Sequence, residues 1–161
     1  MDNMGQSSTG MGTSTQSRIG SAMARAVLRV ENYPRARKFY SETLGLKVQD
    51  IGSPGDMGGM GNGIVWMNDG QTAFEIYERP GMPAPQNTTL GFEVDPNEFD
   101  RTVEDLRSRG VHFEEYNIPE INLMTTNGVA EIGGSKVAWF LDTEGNILSV
   151  GSSDQIKSGR M

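Results

Sequence analysis

Two stretches of this chain share one layout. Residues 66–76, WMNDGQTAFEI, run Trp, two residues, Asp and a Gly turn into a strand, and residues 139–150, WFLDTEGNILSV, do likewise. Laid over each other they set Ser149 opposite Glu75. The likeness extends well beyond the two hairpins. ARAVLRVE alternates as a strand, with Ala26, Leu28 and Val30 on one face and Arg25, Val27 and Arg29 on the other. NYPRARKFYSETLG then reads as a helix: Pro34 fits its first turn, Gly45 its end, and Ala36, Phe39, Tyr40, Thr43 and Leu44 recur at helical spacing. Three strands are expected next, Lys47 to Ile51, Ile64 to Asn68 and Thr72 to Glu78.

After Pro80, Pro83 and Pro85 the order begins again. TTLGFEV is a strand, Asp95 and Pro96 open a helix that Gly110 ends, and HFEEY, a loop from Asn117 to about Gly134, KVAWFLD and NILSV complete the set. Strand, helix and three strands thus occur twice, at a spacing of roughly 65 to 74 residues. The expected organisation is a disordered arm at 1–21, a first module at 22–79, a Pro-rich linker at 80–87, a second module at 88–152 and a tail at 153–161.

Composition narrows the function. A chain of 161 residues holds one compact domain or two small halves sharing a core. Its first residues, MDNMGQSSTGMGTSTQSRIG, carry too little apolar surface to offset their ordering entropy, and GSPGDMGGMGNG at 52–63 reads as a mobile loop. The absence of cysteine removes disulfides, thiolate metal sites and cysteine nucleophiles. Fourteen basic residues against 21 acidic ones leave a net charge of −7, the wrong sign for a nucleic-acid partner. No membrane partner is expected either: there is no long apolar run and no signal-peptide pattern, so a cytoplasmic protein is the default.

The isolated motifs are weak. A phosphate loop at 52–63 would need Lys and Ser or Thr opening a helix, and here Gly63 leads into the strand pattern IVWMN. His112, the single histidine, shares a strand face with Glu114 at the start of HFEEY, and two ligands make a poor metal site. Trp66 and Trp139 occupy matching points of the two modules, as repeated core or as cleft lining.

The stretches LRVENYPRARKFYSETLGL, LGFEVDPNEFDRTVEDLRSRGVHFEE and WFLDTEGNILSV resemble the vicinal oxygen chelate superfamily, the glyoxalase, bleomycin-resistance and extradiol dioxygenase group. The resemblance spans about residues 23–152. It implies an α+β fold: two βαβββ modules forming curved mixed sheets around a shared cleft, helices outside. It also implies dimerisation, with the cleft built within or between chains. Metal-using members carry a His early in each module's first strand and a Glu in its last. Those positions fall here on Arg25, Thr89, Glu75 and Ser149. One ligand of four remains, and Arg25 is a candidate partner for it. A guanidinium has no lone pair to give and brings its own positive charge.

The expectation is therefore a metal-free cofactorless binder of a small-molecule ligand, aromatic or cationic, acting as a homodimer in the manner of bleomycin-resistance proteins. Its cleft would carry Arg25, Arg29, Trp66, Glu75, Tyr77, Thr89, Glu93, Trp139 and Ser149. The aromatics would supply flat surface, the carboxylates would meet cations, and the hydroxyls would bond polar groups. The Gly-rich loop and INLMTTNG would act as lids. The alternative is an enzyme, a lyase, isomerase or dioxygenase that binds a divalent metal through Glu75, with Glu93 or Glu31 adding ligands, or uses Glu75 as the catalytic base.

Overall fold

The computed structural model describes residues 18–51 and 61–152. Most of the N-terminal arm, residues 52–60 of the Gly-rich loop and the tail from 153 lie outside the described residues. Among the described residues ten strands occur: β1 Val27–Val30, β2 Lys47–Asp50, β3 Asn62–Met67, β4 Thr72–Glu78, β5 Thr88–Val94, β6 Asn117–Ile118, β7 Leu123–Met124, β8 Val129–Ile132, β9 Ser135–Leu141 and β10 Ile147–Ser152. Eight of them form two four-stranded sheets of matching order, β1-β4-β3-β2 and β5-β10-β9-β8. In each sheet the outer strand pairs parallel with the last strand of its module, and the remaining pairs are antiparallel. This is an α+β fold of two βαβββ modules.

Each helix crosses the face of its sheet opposite the candidate side chains. α1, Tyr33–Lys38, is capped by the Asn32 side chain, which accepts from the Arg35 N–H at 2.9 Å, and it continues as a π-helical turn over Phe39–Thr43. α2, Phe99–Ser108, starts later than expected. Asp95 accepts from the Asn97 N–H at 2.9 Å, and this local turn takes Asp95 and Pro96 out of the helix.

HFEEY is not a strand. It touches the second sheet through a single bridge, Phe113 to Phe140, and a Glu114 N–H bond to the Trp139 carbonyl at 2.8 Å. The edge position belongs to β8, inside the segment expected to be a loop. Gly133 and Gly134, at φ 59° and 83°, close a two-residue hairpin from β8 into β9. Before β8, the pair β6–β7 forms a small hairpin with no counterpart among the described residues of the first module.

The modules share one core. Leu28, Val30, Val65, Phe74 and Ile76 of the first sheet and Tyr33, Ala36, Phe39 and Tyr40 above it pack with Phe140, Leu148 and Val111 of the second module. Tyr40 meets the Phe74 ring edge-on at 5.4 Å, and Phe74 meets Phe92 of β5 at 6.4 Å. The turn between β9 and β10 fastens the junction. The Glu144 carboxylate accepts from the Asn32 N–H at 2.8 Å and from Arg35 at 2.8 and 3.1 Å. The Tyr40 hydroxyl donates to Asp142 at 2.7 Å, and the Asn146 amide donates to the Arg29 carbonyl at 2.9 Å. Burial raises the Glu144 pKa, but the bonds from Arg35, Thr143 and Asn32 outweigh it and hold the carboxyl below its ordinary value.

Candidate functional site

Strand alternation decides which side chains are available. In the first sheet Leu28, Val65, Phe74 and Ile76 point to the helix, so their neighbours point away from it. The register sets Val27 beside Glu75, Arg29 beside Tyr77, Ile64 beside Glu75 and Trp66 beside Ala73. Arg25, Glu75, Tyr77 and Trp66 therefore share one open face. On it Arg25 donates to Glu75 at 3.1 Å, with the two side chains 39% and 19% exposed. The Trp66 indole N–H donates to the Gln49 side chain at 3.1 Å.

Arg29 serves the module junction instead. Its guanidinium donates to the Glu144 carbonyl at 2.8 Å and contacts Glu31 at 3.5 Å, and the side chain is 11% exposed. Glu31 is turned to the linker, where its carboxylate accepts from the Gly81 N–H at 3.1 Å.

The second sheet has an open face of a different kind. Trp139 pairs with Ser149, Ser149 with Gly91, and Gly151 with Glu93. A Cβ at Gly151 would lie 3.0 Å from the Glu93 carboxylate, and one at Gly91 would lie 3.2 Å from the Ser149 hydroxyl. The middle of this face is thus nearly free of side chains, and Glu93 and Ser149 extend over it. Tyr116 stands edge-on to Trp139 at 5.5 Å.

Thr89 departs from simple alternation. The register shifts between Ile147 and Leu148, which face Thr88 and Leu90 and leave Thr89 unpaired in a bulge. Its hydroxyl donates to the Asn87 carbonyl at 3.3 Å, while Thr88 accepts from the Trp139 indole N–H at 3.1 Å. Sequence reasoning missed Thr88 and Tyr116: a bulge has no signature in TTLGFEV, and HFEEY pointed to a strand rather than a wall.

The two open faces do not meet within one chain. The sheets pack through their helix-bearing sides, so Arg25, Glu75 and Trp66 point one way and Glu93, Trp139 and Ser149 the other.

At the four positions where chelating relatives place ligands stand a guanidinium, a carboxylate bonded to it, a threonine bonded to its own loop, and a serine. Among the described residues, no three His, Cys, Asp or Glu side chains are grouped so that they could hold a metal ion. His112 lies beside Phe113 and Glu115 at the far end of α2, around a cavity of about 400 Å³.

These features place the chain among two-module βαβββ proteins with an open sheet face in each module. It belongs to the Glyoxalase/Bleomycin resistance protein/Dioxygenase superfamily, whose model matches residues 22–150. Comparison with curated proteins gives no significant match. Similar solved structures include the fosfomycin resistance protein FosX from Listeria monocytogenes complexed with Mn(II) and sulfate ion, at TM-score 0.58 and 12% identity over 86% of this chain and 97% of that one. A glyoxalase family protein from Enterococcus faecalis matches at TM-score 0.58 and 20% identity, covering 81% and 97%. The oxidase ChaP-H2 matches at TM-score 0.57 and 18% identity, covering 83% and 94%. At such identities the likeness is one of fold. Among the described residues, no helix is long and apolar enough to cross a membrane.

Proposed function

We propose that this protein is a metal-free small-molecule-binding member of its superfamily, a cytoplasmic homodimer that sequesters an aromatic or cationic ligand of antibiotic-like character. The observation that carries the reading is the Arg25–Glu75 contact at 3.1 Å. The one carboxylate left at a chelating position is already bonded to a cation, and that cation stands at another of the chelating positions.

The two faces support the homodimer. Each is open, and β1 and β5 each have a strand neighbour on one side only. In this reading the two-walled cleft sets the first module of one chain opposite the second module of another. Such a cleft would oppose Arg25, Glu75, Tyr77 and Trp66 to Glu93, Ser149, Thr88 and Trp139.

The alternative is a lyase, isomerase or dioxygenase that uses a metal or the Glu75 base, and FosX with its Mn(II) is the neighbour that speaks for it. Thermal unfolding of chelator-treated protein with and without Mn²⁺, Ni²⁺, Fe²⁺ and Zn²⁺ separates the two. A metal at about 100 times its Kd would add about 2.7 kcal/mol, a rise of several degrees. No rise is the expected result. A rise that disappears in Glu75→Ala would overturn the metal-free reading.

A further inference from the structure

A cavity of about 680 Å³ opens at the outer end of the first sheet, between the start of β2 and the turn joining β3 to β4. Its lining includes Lys47, Gln49, Trp66 and Asp69. Lys47 and Trp66 are register partners on adjacent strands, so both project from the same face. The indole N–H is bonded to Gln49 at 3.1 Å, which ties the ring to a second residue of the cavity lining.

The charges here are unusual for this chain. Nine basic side chains are paired with carboxylates. Among the described side chains only Lys47 and Arg79 are basic and without such a partner, and Lys47 is the one that lines this cavity. In a chain with an excess of acids, a lysine left unpaired at a cavity wall is an anion site in waiting. Asp69, also in the lining, has no ion-pair partner among the described residues either. It sits in a turn whose residues Asn68, Asp69 and Gly70 all have left-handed backbone, at φ 50°, 54° and 88°. Two of these are not glycine, so the turn holds Asp69 at the rim at some conformational cost.

We propose that this cavity binds a flat aromatic zwitterion, of which an aromatic α-amino acid is the simplest case. Trp66 stacks on the ring, Lys47 takes the carboxylate and Asp69 takes the ammonium group. The site rests on the binding reading above only through Trp66, which both share; it needs neither the partner chain nor the Arg25–Glu75 pair.

The test is a titration of the full chain followed by the two indole N–H resonances in ¹⁵N–¹H correlation spectra, assigned with Trp66→Phe. The probes are L-tryptophan, tryptamine and indole-3-propionate. Saturable movement of the Trp66 resonance by tryptophan is expected, with each single-charge analogue weaker by about tenfold. Lys47→Gln should bring tryptophan down to the level of tryptamine, and Asp69→Asn to the level of indole-3-propionate. Both side chains are exposed, so these variants should keep the wild-type spectrum elsewhere. Equal affinity for the three probes, movement of the Trp139 resonance alone, or no movement up to about 10 mM would overturn the proposal. None of those results bears on the metal experiment, so the two readings fail separately.

Discussion

The open faces of the two modules have the same strand order and opposite chemistry. The first is charged and internally paired, with Arg25 on Glu75 and Trp66 tied to Gln49. The second has a bare middle at Gly91 and Gly151, over which Glu93 and Ser149 extend without partners among the described residues. A repeated backbone fixes which positions face outward, and the side chains there are free to diverge because the core does not contain them. The helix-bearing sides have no such freedom, since each packs against the other module.

That contrast predicts that substitutions at the junction strike both modules, whereas those on an open face stay local. The largest effect is expected for Glu144→Ala, which removes the acceptor for Asn32 and Arg35. It should cost about 3 kcal/mol and lower Tm by about 10 °C in a single transition. Two separate transitions would break the comparison. Because Glu144 has a lowered pKa when folded, its contribution is complete above the ordinary glutamate value of 4.5 and is lost as pH falls through the lowered one. Glu144→Gln should therefore be less stable than wild type at neutral pH and lose less stability on acidification, read from Tm at both ends of the range.

Glycines sharpen the contrast next. A Cβ at Gly63 would lie 2.2 Å from the Tyr33 hydroxyl, which donates to Asp50 at 2.5 Å, so Gly63→Ala should cost about 2–3 kcal/mol in denaturant unfolding. Gly151→Ala meets only the free end of Glu93 and should change stability by less than about 0.5 kcal/mol. A comparable cost at both would erase the distinction between a packed glycine and an open one. Tyr40→Phe removes one bond from Asp142, which keeps those of Glu144 and Asn146, so a loss of about 1 kcal/mol is expected from chemical denaturation. The smallest effect belongs to the Arg25–Glu75 pair. A double-mutant cycle on the half-exposed contact should give a coupling of about 0.5 kcal/mol.

Much of this architecture was legible in the sequence. Alternation in ARAVLRVE and TTLGFEV and the repeated Gly turns fix the order of elements and the outward side of Arg25, Glu75 and Glu93. What escaped depends on partners rather than on pattern. HFEEY reads as a strand, yet the sheet edge goes to β8, whose signal was the Gly133–Gly134 pair within a segment read as loop. Thr88 and Thr89 exchange roles through a bulge that only the pairing with β10 creates. Period-2 patterning says that a face is apolar without saying what covers it, so the packing of the two helix-bearing sides on each other lay beyond it.

In the proposed homodimer that packing would also set the valency of the chain. A molecule with two unlike half-sites pointing apart is bivalent, with a head and a tail. Two copies related by a twofold axis satisfy all four half-sites and close. Any other angle between successive copies leaves a head and a tail free, and the assembly grows as a filament. In that assembly the angle at which Glu144, Asp142 and Asn146 fasten one module to the other would govern not only stability but whether the chains count to two.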